Sequence, residues 1–408
     1  MTSAGSQARS GLTRYWSFLG RGDVLRLVIS SMLARLPGGM AQLAVILVIQ
    51  QRWSLGAAGV AAACGAVGSG IGGPLRGRST DRFGARRVLL ASATAQVTAL
   101  LGLLVAVVAS APLALDVILA GFIGASQPPV NPVMRTIWSR RFEGDMRRTA
   151  FSIESVLLDL SFIIGPALVA VVATASSPRW CLVMAALLSA SGCVLLASAP
   201  ESRDWRVSPG ERHWLGAWRV AEVRRLLPIG FAVTGSIIAI ELALVAFARA
   251  HGHPAISGGL IALLSVGSIV GGLCYGAMSL QASVLRQLAL ASAVLGAGFA
   301  LGSLAGSGVV LAVIITATGL FLAPTITLEY AAMDEVADPD FMTESFALLN
   351  AAGQGGAAVA AVLAGFAGQH FHENAVFLVA AALALIATLL ALYQAMFARL
   401  AIRRGHSS

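Results

Sequence analysis

GGPLRGRSTDRFGARR, residues 72–87, sets five arginines and one aspartate, Asp81, directly after a long apolar, glycine-rich run. Only 12% of the chain is charged, against about 25% in a soluble domain. A concentrated basic cluster beside an apolar run is what the positive-inside rule produces at a membrane surface. The cluster therefore points to lipid as the solvent for the flanking segments. It also poses a question, because a lone carboxylate among arginines must have a partner.

The rest of the chain agrees with that solvent. Of its 408 residues, 57% are hydrophobic, and every one of the 28 basic residues is Arg. A crossing helix needs roughly 20 apolar residues. Twelve stretches qualify: 26–50, 55–76, 87–109, 113–135, 149–173, 180–199, 226–249, 254–279, 285–306, 308–330, 342–367 and 374–397. This predicts an all-α polytopic membrane protein with 12 transmembrane helices and both termini on one side. All arginines except Arg35, Arg52, Arg179 and Arg249 fall on the side of the termini, which marks that side as cytoplasmic. The expected location is the plasma (inner) membrane. Loop 334–344 is acidic, but acidic residues have little influence on topology. Arginines beside apolar spans do not suit a nucleic-acid partner. No cleavable signal peptide is evident, because the first apolar run is too long for one.

Cys64, Cys181, Cys193 and Cys274 all lie in apolar segments without a CxxC pair, so they read as core residues. His251, His253, His370 and His372 form two HxH pairs in loops and read as solvated side chains. No cofactor and no metal is expected. No GxxxxGK[ST] phosphate loop occurs, which disfavours ATP-driven transport.

The longest internal loop, 200–225, divides the chain into an N-terminal bundle (1–199) and a C-terminal bundle (226–408). Within it, ERHWLGAWRVAEVRR spaces Trp214 and Trp218 at i, i+4 and predicts a short interfacial helix. Tyr15, Trp16 and Phe18 predict a similar interfacial belt. The halves repeat one another. Residues 66–77, AVGSGIGGPLRG, align with residues 265–276, SVGSIVGGLCYG, sharing Gly68/Gly267, Ser69/Ser268, Gly72/Gly271, Gly73/Gly272 and Gly77/Gly276. Parallel repeats of this kind are a transporter architecture, with the substrate site between the halves. The spacings Gly68–Gly72 and Gly267–Gly271 predict close helix approach.

Gly77, Asp81, Arg82, Gly84, Arg86 and Arg87 then resemble the loop 2–3 signature of the major facilitator superfamily. Ser79 and Ala85 depart from it. The resemblance covers almost the whole chain and implies the twelve-helix fold with two pseudo-symmetric six-helix bundles. It also implies that Gly77, Asp81, Arg82, Gly84 and Arg86, with Arg135 at the end of the fourth span, form a conformational latch. Asp81 would meet an arginine or a helix N-terminus of the other half, with span 11 the favoured place. The second copy, 276–286, keeps Gly276 and Arg286 without the acid. Gly165-Pro166 in the fifth span resembles a reduced form of the Gly-Pro motif of the drug–proton antiporter (multidrug efflux) branch. Leu168-Val169-Ala170 replaces its second glycine pair. GLFLAP at 319–324 and Glu344-Ser345-Phe346 are similar to a group of actinobacterial-type exporters.

Ionisable groups at membrane depth cost several kcal/mol unless paired or hydrated, so each one marks a functional hypothesis. The fifth span carries Glu154 and Asp159, about 140° apart around a 3.6-residue helix. Arg35 lies in the first span and Arg135 ends the fourth. An ion pair of Arg35 or Arg135 with Glu154 or Asp159 would either hold helices together or relay protons by changing partners. Glu241, in the seventh span, would contact substrate or proton, or accept a hydrogen bond across the bundle. Gln127 and Asn131, and likewise Asn350 and Gln354, would line a substrate cavity. Pro128, Pro129 and Pro324, with Gly165-Pro166, would break their helices.

The expectation is a monomeric secondary transporter working by alternating access between small-molecule substrate, protons and the lipid bilayer. The favoured mode is proton-coupled export of small amphipathic molecules. An uptake symporter of a small metabolite is the alternative. A polytopic membrane enzyme is the rival of another class, and no nucleophile or cofactor constellation speaks for it.

Overall fold

The computed structural model describes residues 18, 20–53, 55–205, 216–252, 256–278 and 282–405. Among these, all regular structure is helical. The crossings are α1 (Gly22–Arg52), α2 (Leu55–Phe83), α3 (Ala85–Val108), the pair α4 (Leu113–Ala125) and α5 (Val130–Arg141), α6 (Gly144–Ala175) and α7 (Pro178–Ala197). The second half runs α8 (Ala221–Ala250), α9 (Ile256–Ala277), α10 (Val284–Gly302), the pair α11 (Gly308–Gly319) and α12 (Leu322–Val336), α13 (Met342–His370) and α14 (Glu373–Gly405). Eleven described stretches are long and apolar enough to cross a membrane. The 32-residue α6, which carries Glu154 and Asp159, is the remaining crossing. Large apolar side chains such as Leu187, Leu290, Val309, Val362 and Leu389 are exposed, as lipid-facing residues are.

The sequence repeat reappears as repeated packing. In the first half α7 packs on α1 and α3, and α2 packs on α4; in the second, α14 packs on α8 and α10, and α9 on α11. Lipid offers little hydrophobic drive for helix association, so small residues that let backbones approach do much of the work. Gly68 and Gly72 sit against the backbone oxygens of Gly121 and Ala125, while Gly267 and Gly271 sit against those of Thr316 and Leu320. A β-carbon at any of these positions would enter the facing backbone. Between the halves, α2 faces α13 and α6 faces α9, again a symmetric pair. The fold is two pseudo-symmetric six-helix bundles.

Several sequence expectations change. Pro128 and Pro129 do interrupt the fourth crossing, but Gly165 and Pro166 lie within a continuous α6. Gly165 is buried on the backbone of Leu36 and Met40, so its service is close approach to α1. The tenth crossing breaks before Pro324, which occupies the first turn of α12, where a missing N–H costs no helical hydrogen bond. Phe18 belongs to no surface belt: it is fully buried, 5.6 Å from the Trp138 ring and 5.1 Å from Phe142. Tyr15 and Trp16 lie outside the described residues. So does Trp214 of the expected interfacial helix. The described remainder of that segment is a single turn, Gly216–Arg219, with Trp218 exposed, followed at Ala221 by the start of α8.

Candidate functional site between the two halves

α2 ends in the arginine-rich stretch and reverses into α3 at Gly84, whose φ of 88° suits glycine. The carboxylate of Asp81, buried just before that turn, accepts hydrogen bonds from the backbone N–H groups of Thr343 (3.3 Å) and Glu344 (2.7 Å). These belong to the first turn of α13, where unpaired N–H groups and the helix dipole favour an anion. Gly77, without a side chain, lets α2 rest on Ala347 and the Thr343 carbonyl. Arg82 lies over the Phe83 ring at 5.1 Å, and Arg86 is exposed.

Further bonds tie the halves at the same end, the arginine-rich face. Arg147 pairs with Asp334 at 2.8 Å, and Arg140 donates to the Pro339 carbonyl at 3.4 Å. Arg148 donates to the Met278 carbonyl at 3.0 Å and Thr149 to that of Gly276 at 2.8 Å. The hydroxyls of Thr136 and Thr343 meet at 3.1 Å. Deeper, Ser152 donates to the Gly272 carbonyl, and the hydroxyls of Ser155 and Thr327 lie 3.0 Å apart. Each of these contacts links the first half to the second. Each interhelical hydrogen bond contributes on the order of 1 kcal/mol in a membrane, so the set holds the two halves together at this face.

A buried charged layer follows. Arg35 Nη2 donates to Glu154 Oε1, and Trp138 Nε1 donates to Glu154 Oε2 at 3.0 Å. Of the pairings the sequence left open, the structure contains Arg35 with Glu154. All three residues belong to the first half. Arg135 goes elsewhere: its Nη2 donates to Ser155 at 3.2 Å, and its guanidinium lies 3.8 Å from the centre of the Tyr330 ring. It is therefore a core residue rather than a companion of Asp81 at the loop. The reason is length: α5 continues to Arg141, so the presumed end of the fourth span lies well inside a helix. α6 likewise starts at Gly144, which places Glu154 ten residues in. Arg35 and Arg135 are thus two buried arginines at the centre of the molecule.

Asp159 accepts from the Ser268 hydroxyl at 2.5 Å across the halves. Glu241, on α8, is close enough to interact electrostatically with Asp159. Both carboxylates are part-buried. The presumed cavity amides disperse. Gln127 lies in the break between α4 and α5, so it is not one helical turn from Asn131; it packs on Gly38 and accepts from Ser69 at 3.3 Å. Asn131 keeps a buried Oδ1 without a hydrogen bond among the described residues. Asn350 reaches the Tyr330 side chain, and Gln354 is exposed.

Twelve crossings in two matched bundles, with a loop 2–3 aspartate seated on the opposite half, narrow the comparison to one family. The Major Facilitator Superfamily model matches residues 27–342. The chain belongs to the major facilitator superfamily. It is a multi-pass membrane transporter. Similar solved structures carry the same fold. A bacterial homologue of the iron transporter ferroportin, in an outward-facing state, aligns with TM-score 0.75 and 12% identity over 91% of this chain and 99% of its own. The human organic anion transporter MFSD10 (TETRAN) aligns with TM-score 0.71 and 17% identity, over 90% and 98%. The E. coli fucose:proton symporter aligns with TM-score 0.72 and 12% identity, over 91% and 99%. No curated protein sequence matches the chain.

Sequence reasoning missed Glu329 and Tyr330, both buried, because the tenth span was ended at residue 330. α12 runs to Val336, so Glu329 lies two turns inside it. Trp138 and the Arg147–Asp334 pair were missed for the same reason. The His251 ring stacks on Phe247 at 4.0 Å and that of His370 on Phe366 at 4.2 Å, while His253 lies outside the described residues. Among the described residues no group of His, Cys, Asp and Glu is arranged to hold a metal.

Proposed function

We propose that this protein is a proton-coupled antiporter that exports small amphipathic molecules. The units that rock are residues 1–199 and 226–408, joined by the 200–225 linker. The arginine-rich face is cytoplasmic, both termini lie there, and the protein sits in the plasma membrane as a monomer. The structure then represents a state closed toward the cytoplasm. The outward-facing relative with similar overall shape supports that assignment.

One observation carries the coupling. Asp159 of the first half reaches the Ser268 hydroxyl of the second at 2.5 Å, with the second half's Glu241 near enough to feel its charge. Two such groups do not both hold charge cheaply, so a proton on one of them stabilises their approach. Separation of the halves would remove that reason to hold the proton. Arg35 and Glu154 lie below as the inner part of the relay, and Asp81 is the latch. Gln127 and Asn131 of the first half and Asn350 and Gln354 of the second, which are not gathered in one cluster in this state, supply polar groups along an otherwise apolar substrate path. Export is the direction supported by the Gly165-Pro166 resemblance to drug–proton antiporters. An uptake symporter would use the same carboxylates, and the fucose:proton symporter shares the fold.

Everted membrane vesicles separate the two directions. With an imposed proton gradient, acid inside, an exporter accumulates a lipophilic dye such as ethidium or another member of an amphiphile panel. A symporter of the opposite orientation does not.

A further inference from the structure

Several groups of the first half land on one short stretch of the second. Arg140 donates to the Pro339 carbonyl at 3.4 Å, the hydroxyls of Thr136 and Thr343 meet at 3.1 Å, and Asp81 accepts from the N–H groups of Thr343 and Glu344. The stretch is a 3-10 turn, Pro339–Phe341, running into the start of α13. A connection between two helices opens locally unless packing holds it. What packs behind it is the described end of the 200–225 linker. The Phe341 ring fills the space in which a β-carbon of Gly216 would stand, and Ala217 is fully buried. The Glu344 carboxylate accepts from the Ala217 N–H. Glu344 therefore faces two ways, its own N–H toward Asp81 and its carboxylate toward the linker. Arg224 of α8 donates to the carbonyls of Trp218 (2.9 Å) and Arg219 (3.1 Å), which fixes the short turn Gly216–Arg219 to the second half.

We infer that the linker turn Gly216–Arg219 is a positioning brace for the latch: it fixes residues 339–344 where α13 receives Asp81, so that displacing it opens the arginine-rich face. This rests on the alternating-access reading above. The physical reason is directional. Hydrogen bonds weaken steeply when donor and acceptor are misaligned, so two N–H groups hold one carboxylate in a single relative placement. A start of α13 that is free to shift presents those groups to Asp81 less of the time, and the closed state loses that share of their contribution. Linkage runs the other way as well: a seated Asp81 holds Thr343 and Glu344 in place and so favours the docked brace. Gly216 is the residue on which this depends, because any side chain there meets the Phe341 ring.

The test needs neither substrate nor gradient. Spin labels are placed at Glu143→Cys and Ser283→Cys, exposed positions on the arginine-rich face of each half. The background carries alanine at Cys64, Cys181, Cys193 and Cys274, and distances are recorded in nanodiscs. Gly216→Leu drives a side chain into the Phe341 ring and should lengthen the distance, the open-to-closed ratio rising about tenfold, the scale of an overpacked contact. Adding Phe341→Ala makes room for the new side chain and should bring the ratio back toward the parent. Arg224→Ala, at an exposed position, frees the turn from α8 and should shift the ratio in the same direction; it serves if Gly216→Leu does not fold. A brace that acts through the latch is also coupled to it. In an Asp81→Asn background, Gly216→Leu should therefore raise the ratio by clearly less than it does in the parent. An unshifted distance in folded Gly216→Leu, or in Arg224→Ala where that stands in for it, overturns the inference. So does a failure of Phe341→Ala to restore the ratio, or effects of Gly216→Leu and Asp81→Asn that simply multiply. Because state populations are read without transport, failure here is distinct from failure of the export reading, which the vesicle assay detects.

Discussion

Arg135 and Tyr330 meet across the two bundles, the guanidinium 3.8 Å from the ring centre, with the hydroxyls of Ser155 and Thr327 3.0 Å apart beside them. A desolvated cation–π contact contributes about 2 kcal/mol. On the alternating-access proposal it is lost when the arginine-rich face opens. Tyr330→Leu should therefore shift the protein toward opening of that face by up to roughly thirtyfold, which is 2 kcal/mol at RT ≈ 0.59 kcal/mol. Interbundle spin-label distances read the shift. An unchanged distribution would remove Tyr330 from the lock.

Asp81 receives two N–H groups at the start of α13. An anion at a helix N-terminus contributes about 0.3–2 kcal/mol. Asp81→Asn keeps an acceptor oxygen but loses the charge, so transport turnover should fall while substrate affinity holds. Equal loss of both would mean that Asp81 supports the fold and not the switch.

The salt bridge Arg147–Asp334 offers a charge-swap test of the same face. Arg147→Asp alone sets like charges against each other and should favour opening. Adding Asp334→Arg should restore the closed population. Persistence of the open state in the double variant would count against this pair.

The Arg35–Glu154 pair predicts a stability effect. Removing one partner of a buried ion pair costs about 3–5 kcal/mol, whereas replacing both with apolar residues is close to neutral. Glu154→Leu should lower the unfolding temperature in detergent clearly more than the double replacement Arg35→Met with Glu154→Leu. Equal destabilisation would show that the pair is hydrated rather than buried.

Gly271→Ala should destabilise because the new carbon meets the Leu320 backbone, while Gly70→Ala, with open space around it, should be neutral. The overpacking cost is about 1–3 kcal/mol. Thermal unfolding of the two variants side by side makes the comparison.

The fold was legible because its signals are long. Twenty-residue apolar stretches, the arginine asymmetry and the repeat of Gly68–Gly72 as Gly267–Gly271 each survive errors of a few residues. The charged layer was legible only in part, because it depends on where helices end. Apolar windows closed the fourth and tenth spans at Arg135 and Tyr330, yet α5 and α12 run on past them, to Arg141 and Val336. Polar residues can continue a helix beyond the lipid core when the opposite bundle covers them, and no window on one segment sees that cover. Pairing was hidden for the same reason: Glu154 had two candidate arginines in sequence, and only packing separated them. Gly165-Pro166 looked like a break, but α6 continues through both residues as an unbroken helix.

The most direct test of proton-coupled export is accumulation of the amphiphile panel in everted vesicles carrying the parent protein or the double variant Glu154→Gln, Asp159→Asn. The account predicts that the parent accumulates at least one compound only while the interior is acidic, and that a protonophore or the double substitution abolishes this. Accumulation that is indifferent to the gradient, or undiminished in the double variant, would contradict it.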